Sequence, residues 1–82
     1  MPIEDLAGKV GPVSGTVRPG HLGEVMLRVG NRVEAYYAMP YDGEETIDRG
    51  GRCVVVESHP QLSRTVYVAA LPASDPIEGE LT

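Results

Sequence analysis

Few side chains in this sequence carry reactive chemistry, and their spacing decides what they can do. His21 and His59 each stand beside turn-forming residues, and neither has a cysteine or carboxylate at a metal-ligand spacing. Cys53 follows Arg52, a neighbour that lowers a thiol pKa, but no histidine lies close in sequence to serve as its base. It reads as a half-buried strand residue. The acidic run DGEETID, Asp42 to Asp48, lacks the alternating carboxylates of a calcium loop and reads as a solvated loop. Ser14, Ser58, Ser63 and Ser74 have no general base implied beside them. Two GxxG stretches, Gly8 to Gly11 and Gly20 to Gly23, are not set among helices, so they read as bends and turns. The sequence thus nominates no catalytic residue, no metal ligand set, no cofactor and no small-molecule substrate.

The elements that position these residues are strands. Ten glycines and seven prolines interrupt every run long enough for a helix, and eleven valines favour extended chain. Five segments alternate or run apolar: Lys9 to Val17, Glu24 to Val29, Val33 to Met39, Cys53 to Glu57 and Ser63 to Leu71. Gly11, Pro12 and Gly15 make the first of these curl. An open sheet of this size leaves one face bare and two edges unpaired, and closure removes both problems. The expected fold is therefore all-β, a small five-stranded OB-like Greek-key barrel. Pro40 to Gly51 holds too few apolar residues to pack a helix, so a short turn stands in its place. The barrel is expected over residues 8–71, with an N-terminal linker at 1–7 and an acidic disordered tail at 72–82.

Faces follow from register. In the hairpin around Gly30 and Asn31, a two-residue turn pairs Leu27 with Glu34 and Val29 with Arg32, setting charges among valines. A three-residue loop, Gly30 to Arg32, pairs Val29 with Val33, Leu27 with Ala35 and Val25 with Tyr37, and is the register expected here. Its outer face carries Met26, Arg28, Glu34 and Tyr36, which form the candidate interaction surface. Val54 and Val56 of the fourth strand, and Val66 and Val68 of the fifth, are expected to point inward.

The formal charge of −5 is not spread evenly. Residues 8–71 hold seven basic and seven acidic side chains, and the excess comes from Glu4, Asp5, Asp75, Glu78 and Glu80 at the ends. A neutral barrel gains little from counterion release, which weighs against nucleic acid. Binding of single strands on stacked aromatics nevertheless stands as the alternative function, because small OB barrels do this. The single cysteine allows no intrachain disulfide and demands no oxidising compartment. MPIEDLAGKV has neither the basic nor the apolar region of a signal peptide, and no run approaches a membrane span, so the chain as given is expected to be soluble.

The order of residues adds a resemblance. LAGKVGPVSGTVRPGHLGEVMLRVGNRVEAYYA, then ETIDRGGRCVVVE and RTVYV, resembles the C-terminal soluble domain of NfeD-like proteins, the short actinobacterial type in particular. Gly8, Gly11, Pro19, Gly20, Gly23, Val25, Glu34, Ala35, Ile47, Gly51, Val54 and Val56 carry the likeness, which runs from Leu6 to Val68. It implies an OB-fold domain carried behind membrane-spanning helices, working with stomatin, prohibitin or flotillin-like protein partners in membrane organisation and quality control. By that resemblance the chain is an excised domain or an unusually short member, its parent is membrane-tethered, and the domain lies on the cytoplasmic side. The serine protease domain of longer relatives has no counterpart in these residues. Residues and resemblance agree on a non-catalytic β barrel; that it serves as a protein-interaction module is what the resemblance implies.

Overall fold

The computed structural model describes residues 6–72. Five strands, β1 (Val10–Gly15), β2 (Gly23–Val29), β3 (Arg32–Pro40), β4 (Arg52–Ser58) and β5 (Thr65–Ala70), close into a barrel in the order β1-β2-β3-β5-β4. β3 and β5 run parallel and the other neighbours antiparallel. This is the closed OB-like arrangement that the strand pattern implies, and the described residues contain no helix. None is therefore long and apolar enough to cross a membrane. Apart from Pro72, the expected acidic tail, Ser74 included, lies outside the described residues, as do residues 1–5 of the expected linker.

β1 serves two neighbours. Val10 to Pro12 pair with β4, Val13 and Gly15 pair with β2, and a register shift between Val13 and Gly15 carries the strand from one partner to the other. The glycines let the chains cross closely. A Cβ at Gly11 would run into the carbonyl oxygen of Met26, and one at Gly23 would lie 2.6 Å from the Thr16 carbonyl oxygen. Val13, Val17, Val25, Leu27, Ala38, Cys53, Val55, Val66 and Val68 fill the interior. Leu6, only 5% exposed, joins them, so the packed unit starts ahead of position 8 and takes in part of the expected linker. Ile47, in the β3–β4 connection, is equally buried and bridges to Val17, doing with one side chain what a helix would do with a face.

Two expected registers are corrected. The hairpin pairs Val29 with Arg32, Leu27 with Glu34, Met26 with Ala35 and Val25 with Tyr36, through the two-residue Gly30-Asn31 turn. Gly30 takes φ 65° at the first turn position, the geometry of a primed turn whose twist matches the strands. Charge opposite the apolar row is tolerated because Glu34 finds Arg32 at 2.7 Å and Arg64 at 3.2 Å. In β4 the inward residues are Cys53 and Val55, while Val54 and Val56 are half-buried. Cys53 pairs with Gly11 on one side and Ala70 on the other, small neighbours that admit it to the interior. Val66 and Val68 of β5 do point inward.

Gly11→Ala forces a methyl against backbone, and overpacking of this kind costs about 1–3 kcal/mol. Urea unfolding of Gly11→Ala should show a midpoint well below that of Gly15→Ala, whose Cβ meets Glu24 at a tight 3.3 Å that a shift of a few tenths of an ångström relieves.

Candidate interaction surface

The corrected register redistributes the side chains expected to share one face. Met26 and Arg28 do lie on the outer side of the sheet. Glu34 and Tyr36 instead project on the side of Val25, Leu27 and Val29, and Tyr36 packs against the core. Their places on the outer face are taken by Val33, Ala35 and Tyr37. Val33 is 54% exposed and Tyr37 53%. Met39 follows on the same side of β3, and Tyr41, 54% exposed just beyond it, meets the Tyr67 ring edge-on at 6.2 Å. An apolar and aromatic row thus runs along the outside of β3. From sequence, Tyr37 is passed over because the choice of turn length sets its parity, and Tyr41 because it falls in the loop after the strand.

At the start of β5 the chain makes a clasp. Arg64 adopts φ 53°, the only non-glycine among the described residues with positive φ. Its carbonyl oxygen accepts the Tyr37 N–H at 2.8 Å. Its guanidinium donates to the Ala35 carbonyl oxygen at 2.6 Å and to Glu34 Oε1 at 3.2 Å, and lies 4.7 Å above the Tyr36 ring. The left-handed conformation costs about 1–2 kcal/mol. The half-exposed cation–π contact returns about 0.5–1 kcal/mol and the exposed ion pair at most about 1. Between the clasp and β2 lies an open groove of about 270 Å³ lined by Glu24, Ala35, Tyr36, Tyr37 and Arg64.

The β4–β5 turn that delivers Arg64 is held by a histidine. His59 Nδ1 accepts the N–H groups of Gln61 and Leu62 at 3.1 and 3.0 Å, and its ring stacks on Tyr67 with centroids 5.3 Å apart. His59 is therefore a half-buried turn-former, while His21 stays in an exposed turn. No group of histidine, cysteine and carboxylate side chains among the described residues is arranged to hold a metal ion. The acidic run is occupied with its own loop. Asp42 accepts the N–H groups of Glu44 and Glu45, both at 2.9 Å, which hold its carboxyl below the usual aspartate value, and Glu45 accepts the Ala70 N–H. Ser14 Oγ donates to Glu24 Oε1 at 2.8 Å.

Cys53 is fully buried, and burial pushes its thiol up to about 11 against a smaller opposing pull from Arg52. A thiol so placed stays protonated at neutral pH and is no nucleophile.

Residues 10–69 match the family model described as the NfeD C-terminal domain. No curated protein and no solved structure gave a match.

Two outcomes follow from this geometry. Cys53 should resist a thiol reagent at pH 8 in the native protein and react at once in denaturant; because its folded pKa lies above the unfolded value of 9.0, stability should hold below pH 9 and fall as pH rises beyond it. Arg64→Ala should be more destabilising than Arg64→Gly in thermal unfolding, since both lose the clasp but only glycine relieves the positive φ.

Proposed function

Because the chain belongs to the NfeD C-terminal domain family, we propose that it works as a non-catalytic protein-interaction module built on an OB-like barrel. The observation that carries this reading is the outer row of β3, where Val33, Tyr37 and Tyr41 stand more than half exposed on one side of the sheet. Exposed apolar and aromatic side chains gathered on one face, rather than scattered, mark a contact surface. Aromatic residues and methionine are also the types enriched where proteins meet. The β2–β3 face is where OB barrels present themselves to ligands.

The partner in this reading is a stomatin, prohibitin or flotillin-like protein, and the setting is membrane organisation or quality control. The parent protein holds the domain at the membrane on its cytoplasmic side. What supports this is the family alone. The contact is assigned to Tyr37, Met39 and Tyr41 together with Met26; Arg28 flanks it, whereas Glu34 and Tyr36 support it from below.

A single-stranded nucleic acid on the same tyrosines is the competing reading, favoured by their exposure and opposed by the charge balance of seven against seven over residues 8–71. It requires oligonucleotide binding that falls steeply with salt.

The double variant Tyr37→Ser, Tyr41→Ser should keep its fold by circular dichroism and lose at least about tenfold in capture of a purified stomatin-type protein, the loss expected from two contacts of roughly 1 kcal/mol each. Capture equal to that of the parent sequence would refute the surface. A salt-sensitive oligonucleotide shift with no protein capture would favour the alternative.

A further inference from the structure

The outer side of β2 reads, in order, Glu24, Met26, Arg28: an anion, an apolar residue and a cation at alternate positions. Opposite them on β3 stand Tyr37, Ala35 and Val33. The two charges are four residues apart, about 13 Å along an extended strand, too far to pair within one copy. Arg28 is exposed and makes no ion pair among the described residues. Glu24 is oriented by Ser14, which occupies one carboxylate oxygen and leaves the other open. The remaining charges nearby are already satisfied, since Glu34 takes both Arg32 and Arg64.

This pattern is complementary to itself. Consider a two-fold axis lying in the plane of the face, across the strands, and passing through Met26. It sets β2 against β2 of a second copy, antiparallel, so that Arg28 meets the second copy's Glu24 and Glu24 meets its Arg28. Met26 meets Met26. On the neighbouring strand Val33 meets Tyr37 and Ala35 meets Ala35, the small residue allowing close approach. An axis running along the strands would instead set Glu24 on Glu24 and Arg28 on Arg28. Charge therefore selects one orientation out of two, and isologous contact of this kind is the commonest form of self-association.

We infer that the outer face of β2 is a homotypic contact on which a second copy of this chain docks antiparallel, its Glu24 and Arg28 pairing reciprocally with Arg28 and Glu24. The inference rests on the reading above only in sharing the exposed sheet face, where Met26 and Tyr37 belong to both contacts, and it names a second copy as occupant of β2 and the facing part of β3. Six side chains are fewer than the roughly 20–30 residues a side of a standard interface, so the association is weak and rises with concentration.

Sedimentation velocity of the chain from about 10 μM to 1 mM at low salt tests this. The weight-average coefficient should climb from monomer toward dimer. Arg28→Glu alone and Glu24→Arg alone should each remain monomeric, with circular dichroism reporting an intact barrel. An equimolar mixture of those two variants should dimerise, because one now carries two carboxylates where the other carries two guanidinium groups. The double variant Glu24→Arg, Arg28→Glu should dimerise by itself. A chain that stays monomeric across the range, single variants that associate as well as the parent, or a mixture and double variant that both stay monomeric would each overturn the inference. A parent chain that never self-associates but is captured by the stomatin-type protein defeats this inference alone, and a parent chain that self-associates but is not captured defeats only the proposed function.

Discussion

Closure of the barrel depends on β1 being shared. Its first half pairs with β4 and its second half with β2, and a strand can do this only if it curls within six residues. Gly11 allows the curl by bringing backbone against the Met26 carbonyl where any side chain would intrude, and the shift between Val13 and Gly15 completes it. Once β1 joins β2 to β4, and the parallel β3–β5 pair joins the other ends, every strand has two neighbours. A domain this small cannot bury much surface, so the shortness of the open edge at the start of β3 and the short valine side chains that fit a narrow interior matter together.

The register of the β2–β3 hairpin decides what the barrel shows to the outside. With the two-residue turn, one residue of shift relative to the alternative exchanges the two faces of β3 entirely. Tyr36 goes inward to become the platform for Arg64, and Tyr37 goes outward with Val33. The same exchange places Glu34 where two arginines can reach it. Turn geometry thus reaches beyond the turn, through strand parity, to the chemical character of the exposed sheet.

How far this could be read from the residues differs by element. The alternation of Val25, Leu27 and Val29 is unambiguous, and both its strand and its inward face are as the pattern implies. Val66 and Val68 are equally plain, and the missing helix follows from the polar composition between Pro40 and Gly51. β4 is different, because Val54, Val55 and Val56 in succession carry no alternation at all. Its parity is set by Gly11 and Ala70 across the ladder, which are tertiary neighbours. The hairpin register failed for a related reason. The rule that charges avoid an apolar row assumes that the charge has no partner, and the partner that matters, Arg64, is thirty residues further along the chain from Glu34. The candidate surface inherited that error for Glu34 and Tyr36 and escaped it for Met26 and Arg28, which lie on the strand whose faces were never in question.

The clasp also bears on how the barrel can be recognised. β5 begins pairing with β3 only at Tyr37, which leaves the earlier part of β3 without a strand on that side. Such an edge invites strand addition. Here the Arg64 guanidinium sits on the Ala35 carbonyl and stands over Tyr36, held in place by a turn that His59 fastens through two N–H groups. An incoming strand would have to displace a charge-assisted hydrogen bond and an ion pair to gain one ladder bond at that position, an exchange that does not favour it. With the edge blunted, the proposed contact falls to the outer face, where side chains rather than backbone pairing would set its specificity. On that face the informative features are the order of Glu24, Met26 and Arg28 and the tyrosines beside them.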